Sequence, residues 1–184
     1  LQNYVDLAFK QELFKVPADE KPEYNGVQLI NSKVIVSYLK QLLRNDLQYA
    51  PFEMVAMEKP GAEKITIQTG QGPITLRLGG TIDRRDAKDT TLRIVDYKTG
   101  GSPKTPANIE QLFTPSETRP NYIFQTFLYA AIMSRQQSLK VAPSLLYIHR
   151  AASESYSPVI EMGEPRQPKI PVNNFAFFED EFRE

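Results

Sequence analysis

Gly79-Gly80-Thr81-Ile82-Asp83-Arg84-Arg85-Asp86 and, after a short charged turn, Leu92-Arg93-Ile94-Val95-Asp96-Tyr97-Lys98-Thr99-Gly100 are the stretch around which this chain is organised. Thr81-Ile82 and Leu92 to Tyr97 are β-branched or apolar enough to be strands, and Ala87-Lys88-Asp89-Thr90 between them is polar enough to turn, so the stretch reads as a hairpin. Residues two apart in a strand share a face, which places Asp96 and Lys98 on the same side, about 6.6 Å apart along the backbone. Pairing the two strands brings Asp83 alongside Asp96. Two carboxylates that close repel unless a hard cation lies between them, and Mg²⁺ binds through one or two carboxylates plus waters and a substrate phosphate. The pattern points to metal-assisted phosphodiester hydrolysis.

Composition bounds the setting. The 184 residues suffice for one globular domain with a real core, and a single domain over 1–184 is expected. The chain opens on Leu1, inside what reads as an amphipathic helix, and is therefore expected to be a piece of a longer protein. It holds no cysteine, which excludes disulfides, thiolate metal sites and cysteine nucleophiles. No run of about 18 apolar residues exists and no signal peptide is visible, so a cytoplasmic protein with no membrane partner is expected. Twenty-two basic and 22 acidic residues cancel, so bulk electrostatics lend no support to a nucleic-acid partner. Local charge differs. From Arg77 to Lys104 seven basic residues stand against four acidic ones, a balance of +3 that suits a polyanion as well as a charge-laced solvent face.

Apolar residues from Tyr4 to Leu13 recur at helical spacing, which predicts a helix over 2–14 that stops before Pro17. The polar stretch 17–26 is expected to be a loop. Ser32 is a plausible N-cap for a second helix carrying Val34, Ile35, Tyr38, Leu39, Leu42, Leu43 and Leu47. Strands are expected over 51–58, 64–68 and 74–78, with Gly70 to Pro73 turning between the last two. After the hairpin, 100–106 is a Gly/Pro/Ser/Thr loop. Pro120 sits near the first turn of a helix reaching about Gln137, whose middle, 122–132, is apolar on nearly every side and therefore buried. Residues 143–150 read as a strand, with 158–162 a partner for it. The tail, with Phe175, Phe177, Phe178 and Phe182 among acids, reads as an amphipathic element that docks back, in preference to a stacking platform.

Three acid-any-lysine triplets occur: Asp19-Glu20-Lys21, Asp86-Ala87-Lys88 and Asp96-Tyr97-Lys98. Only the third ends a buried-looking strand and has Gly100 just beyond, where another backbone or a ligand can approach. Gln125 and Tyr129 lie four apart on one helix face, and a glutamine in so apolar a helix must find hydrogen-bond partners. His149 is the only histidine. With no second one to complete a zinc site or a catalytic triad, a structural role at a strand end is expected of it.

Taken in order and spacing, Glu58, Gly80-Thr81-Ile82-Asp83-Arg84, Ile94-Val95-Asp96-Tyr97-Lys98-Thr99-Gly100 and Gln125 with Tyr129 resemble the RecB-type, or AddB-like, branch of the PD-(D/E)XK nuclease superfamily, over about residues 51–150. The resemblance implies an α/β fold with a restriction-endonuclease-like core, a mixed central β-sheet flanked by α-helices. It implies that Asp83 and Asp96 bind Mg²⁺ or Mn²⁺, with the Tyr97 carbonyl as a further ligand. Lys98 then positions the attacking water and offsets transition-state charge. Gln125 and Tyr129 hold the nucleic acid or the lysine, Glu58 has an outer role, and Arg84 contacts a phosphate or pairs with a neighbouring acid. Relatives also carry a histidine in an early helix. None lies upstream of Asp83 here, so it is expected to precede Leu1. An iron-sulfur cluster, found in some relatives, is ruled out by the lack of cysteine. DNA is the implied substrate and a helicase domain or subunit the implied partner, with exonucleolytic hydrolysis in repair or recombination. A nuclease-like module that binds DNA or a partner protein without cutting is the alternative, and a purely structural domain a third.

Overall fold

The computed structural model describes residues 1–17, 19–20 and 23–184 and comprises two units, residues 1–50 with 148–154 and residues 51–147 with 155–184. In the first unit, α1 (Gln2–Ala8) continues directly into a π-helical segment, Phe9–Phe14, and the chain leaves it through Lys15 in the left-handed conformation. The expected helix over 2–14 is present with wider winding at its end. The loop expected over 17–26 includes Ala18, Lys21 and Pro22, which lie outside the described residues, as does the lysine of the first acid-any-lysine triplet.

The second helix, α2 (Gly26–Tyr49), starts earlier than expected because Asn25, not Ser32, caps it. The Asn25 side chain accepts the Gln28 N–H at 2.9 Å while Gln28 Oε1 accepts the Asn25 N–H at 3.0 Å, a reciprocal capping box that satisfies two otherwise orphaned donors. Ser32 instead lies inside α2, where its hydroxyl accepts from Gln2 Nε2 at 2.9 Å. His149 falls in a short 3-10 turn, Ile148–Arg150, that belongs to this unit, and not at the end of a strand.

The second unit is built on a four-stranded mixed sheet in the order β1-β2-β3-β4. Its strands are β1 (Glu53–Thr69), β2 (Gly72–Lys88), β3 (Thr91–Lys98) and β4 (Lys140–Tyr147). The separate short strands expected over 51–78 are in fact one long antiparallel hairpin, with Thr69 paired to Gly72 and Glu53 to Ala87. Two features that read as breaks are accommodated inside it. Pro60 sits on β1, the outermost strand, where a proline is tolerated. Gly61 pairs with Gly80 and Ala62 with Gly79, and the strands approach so closely there that a Cβ on Gly79 would lie 2.2 Å from the Gly61 carbonyl oxygen. The glycines there permit close strand approach and not a turn.

β2 pairs antiparallel with β3 from Lys88↔Thr91 to Arg84↔Val95, and β3 runs parallel to β4. A parallel pair needs a crossover connection, and α4 (Asn121–Ser134) supplies it. The tight turn is Asp89-Thr90, two residues shorter than the expected four. β4 begins at Lys140 and stops at Tyr147, so the expected strand over 143–150 is displaced toward its N-terminus. Val159 bridges antiparallel to Ser144, while β5 (Glu161–Met162) pairs with β6 (Ile170–Pro171) in a separate two-stranded sheet.

The all-round apolarity of α4 is explained by what surrounds it. Phe127, Ala130 and Ile132 have no exposure, and the helix packs in a cluster with Ile82, Leu92, Ile94, Val141 and Leu145 from the sheet. α3 (Glu110–Phe113) adds Leu112. The tail does dock back: a 3-10 turn at Phe175–Phe177 and α5 (Glu179–Arg183) bring Phe175 and Phe182 to 5.4 and 5.8 Å from the Phe127 ring centre. Arg183 fastens it to Glu63 at 3.0 Å. Phe177 is the exception, left 84% exposed. Among the described residues no helix is long and apolar enough to cross a membrane.

A second buried feature is ionic. Asp86, with no exposure, accepts from Arg84 Nε at 2.7 Å and from Arg93 Nε and Nη2 at 3.0 and 2.9 Å, and the Arg84 guanidinium lies 4.8 Å from the centre of the Phe52 ring. Two cations share one carboxylate across the β2–β3 pair. Removing that carboxylate strands two buried charges, so Asp86→Ala should cost about 3–5 kcal/mol, measured by urea denaturation. A loss below about 1 kcal/mol, the range of exposed ion pairs, would contradict this account.

Candidate active site

The β2–β3 backbone ladder ends at Arg84↔Val95, and beyond it a side chain takes over. Asp83 Oδ2 accepts the Tyr97 N–H at 2.8 Å, so the carboxylate of one strand replaces a backbone acceptor for the next. That bond holds Asp83 beside the strand that carries Asp96 and Lys98. On the other side of β2, the hairpin pairs Met57 with Arg84 and Lys59 with Ile82, which puts Glu58 opposite Asp83. Glu58 has φ +50°, uncommon for a residue with a side chain. The regular alternation of β2 slips at the same level. Ile82 belongs to the cluster around α4, and Arg85, three residues on, donates from Nη1 to Met133 Sδ of α4 at 3.6 Å. A regular strand would put these two on opposite faces.

Asp96 and Lys98 share a face of β3 and meet in an ion pair between Lys98 Nζ and Asp96 Oδ2. The Lys98 ammonium also donates to Gln125 Oε1 at 3.2 Å and lies 4.3 Å from the centre of the Tyr122 ring. Gln125 Nε2 in turn donates to the Tyr129 hydroxyl at 3.2 Å, which orients the amide so that its oxygen faces the lysine. Tyr122, Gln125 and Tyr129 fall at i, i+3 and i+7 of α4, one face of the helix. Gly80 makes room for the last of them: a Cβ there would come 2.6 Å from the Tyr129 hydroxyl.

Burial raises the pKa of Asp96 above the ordinary carboxylate value, Lys98 lowers it, and the nearby charge of Asp83 raises it again. The net direction is up. Two carboxylates that sense each other next to an ammonium, in a partly buried setting, have the chemistry that suits a hard divalent cation with oxygen ligands. Only two protein carboxylates meet here; among the described residues no group of three or more His, Asp or Glu side chains is placed to hold a metal. That donor set fits an ion that keeps several waters, as Mg²⁺ does.

Asp83, Asp96, Lys98, Gln125 and Tyr129 are thus drawn together, and Tyr97 takes part through its N–H. Glu58 is exposed on β1, level with Asp83. Arg84 is 2% exposed and bound to Asp86 and, through Nη1, to the Tyr97 hydroxyl at 3.1 Å. Of the two roles open to Arg84, pairing with an acid is the one observed, and burial excludes a phosphate contact. Tyr122 was not expected. Its spacing three residues before Gln125 is the signal that would have found it.

The family model of the PD-(D/E)XK nuclease superfamily matches residues 1–181. The chain belongs to this superfamily. No curated protein matches it. The mixed four-stranded sheet with its parallel β3–β4 pair and connecting helix agrees with the restriction-endonuclease-like fold that membership implies. Membership suggests a nuclease, and nucleases of the PD-(D/E)XK superfamily generally use divalent metals.

The raised pKa of Asp96 makes the stability of the fold depend on pH. The folded state holds its proton more tightly than the unfolded chain does, so stability from this group is full below the ordinary carboxylate pKa of about 3.9 and is lost as pH rises through the folded value. Asp96→Asn removes that ionisation and should raise the midpoint of thermal unfolding at neutral pH in a metal-free buffer, with a smaller gain in acid. A lower midpoint at both pH values would show that the Lys98 pair outweighs burial.

Proposed function

We propose that this chain is a divalent-metal-dependent deoxyribonuclease domain of the RecB-type, AddB-like kind, hydrolysing phosphodiester bonds exonucleolytically in DNA repair or recombination. The observation that carries the reading is the Lys98 ammonium, held between Asp96, Gln125 and the Tyr122 ring, with a second carboxylate, Asp83, on the neighbouring strand. Asp83 and Asp96 would hold Mg²⁺ or Mn²⁺, with the Tyr97 carbonyl as a further oxygen donor. A divalent ion there supplies Lewis-acid polarisation of the phosphate and a more acidic water.

The chain's own groups do the rest. Lys98 carries a positive charge that orients water by hydrogen bonding and offsets the negative charge growing on the phosphate oxygens, an effect strengthened by partial burial, since its side chain is 15% exposed. Gln125 gives that ammonium an acceptor besides Asp96, and Tyr129 keeps the amide turned the right way. Glu58, level with Asp83, serves the outer rim. The setting proposed is cytoplasmic, within or beside a helicase, with DNA as substrate.

A module that binds DNA or a partner without cutting is the second reading, favoured by the convergence of only two carboxylates at the site. One assay separates the two. Cleavage of labelled DNA in Mg²⁺ or Mn²⁺ should fall at least about a hundredfold in both Asp96→Ala and Lys98→Ala, the scale of losing one charge-stabilising group. Activity unchanged in both variants removes the catalytic assignment. Absence of cleavage together with DNA affinity that persists in EDTA and in those variants favours the binding module.

A further inference from the structure

A cavity of about 280 Å³ shares a wall with the lysine site and has no part in the reading above. It lies between the loop after β3 and the start of α4, and Gly101, Ser102, Lys104, Arg119, Tyr122 and Tyr147 line it. Tyr122 is the shared wall: one ring meets Lys98 Nζ at 4.3 Å and borders the cavity. The loop runs flat against both tyrosines. Gly101 has φ +80°, and a Cβ on it would come 3.3 Å from the Tyr122 ring and 3.9 Å from that of Tyr147. Lys104 fixes the other side by donating to the carbonyls of Thr118 and Arg119 at 2.8 and 3.2 Å. The Arg119 guanidinium lies 4.9 Å from the centre of the Phe124 ring, and its Nε is buried with no hydrogen-bond partner among the described residues. Glu117 is the one acid on the wall, against Lys104 and Arg119.

Aromatic rings with adjacent cations are the combination that takes a base on its face and a phosphate at its edge. The volume lies just below the range of ligand pockets, about 300–1,000 Å³, which admits no more than a single nucleoside-sized group. A base stacked and paired in a duplex cannot enter such a space; it must first leave the stack. We propose that this cavity seats one unpaired nucleotide of a DNA strand next to the phosphate to be cut, with its base against the exposed ring of Tyr122 and its backbone toward Arg119. This rests on the nuclease reading, and Tyr122 links the two because a base that stacks on it also borders the ring under Lys98.

Ser102→Trp fills the cavity from a position outside the Lys98, Asp96 and Gln125 contacts, and Arg119→Ala removes the cation with the buried Nε. Fluorescence anisotropy with a labelled oligothymidylate, in EDTA so that nothing is cut, should show affinity at least about tenfold weaker in each variant. The wild type should prefer that single strand to a blunt duplex, and thermal unfolding should confirm that both variants fold. Unchanged affinity in both folded variants, or tighter binding of the duplex, overturns the subsite. If the wild type cuts single strands and Ser102→Trp cuts them with unchanged KM, the subsite falls and the nuclease stands. If binding depends on Ser102 and Arg119 but the wild type never cuts in Mg²⁺ or Mn²⁺, the pocket stands and the cutting reading falls. Failure of the wild type to bind or cut any DNA removes both.

Discussion

The bond from the Tyr97 N–H to Asp83 Oδ2 holds the second carboxylate of the site beside the strand that carries Asp96 and Lys98. A buried or half-buried amide must be paired, and in a regular sheet it finds a neighbouring carbonyl. Here the ladder has just ended at Arg84↔Val95, and a carboxylate takes the carbonyl's place. The substitution draws the acid side chain in toward β3. It lands beside Asp96, near enough for its charge to disfavour ionisation of that buried acid. Glu58 on the far side of β2, with its positive φ, stands at the level where the alternation of the strand slips. Local irregularities next to an active site re-aim side chains in this way, and the slip here brings Asp83 to the strand of Asp96 and Lys98.

An arrangement of that kind costs stability, and the rest of the sheet offsets it. Asp96 is buried with one cation for company, and burial raises its pKa more than Lys98 lowers it. A few residues away along the same two strands, Asp86 is buried more completely but has two guanidiniums. Both are buried carboxylates on one β2–β3 pair, and they differ in how far their charge is matched. The fully matched one fixes the pairing of the strands; the undermatched one leaves room for a cation to be added. Functional sites are where such local imbalance is expected.

Much of this was legible in the sequence because it rests on short-range periodicity. A spacing of two put Asp96 and Lys98 on one face, and a spacing of four put Gln125 and Tyr129 on another, whatever the surrounding fold. Even the hairpin was visible from its apolar runs and polar turn. The length of the strands was not. Pro60 and Gly79-Gly80 carry the composition of turns, and only the pairing of Gly61 with Gly80 and of Ala62 with Gly79 shows that they serve close approach within a continuous ribbon. The start of α2 was missed because Ser32 has the identity of a cap, whereas the reciprocal bonds of Asn25 and Gln28 decide where the helix begins. Tyr122 was missed for another reason: a tyrosine at the start of an apolar helix looks like core, and its role depends on a lysine 24 residues away in the chain.

α4 ties these observations together, since it is both the crossover that makes β3 and β4 parallel and the element that presents a polar stripe to Lys98. Its other faces bear Phe127, Ala130 and Ile132, all without exposure, so the helix has little freedom to rotate or slide without losing buried area. The position of the Gln125 oxygen is therefore set by packing around Phe127, Phe175 and Phe182. Gly80 shows how tight the coupling is. One methyl group on β2 would push into the Tyr129 hydroxyl, which holds the Gln125 amide, which holds the lysine. A glycine that in the sequence is part of a turn-like pair is, in the fold, the space on which the orientation of the Lys98 ammonium depends.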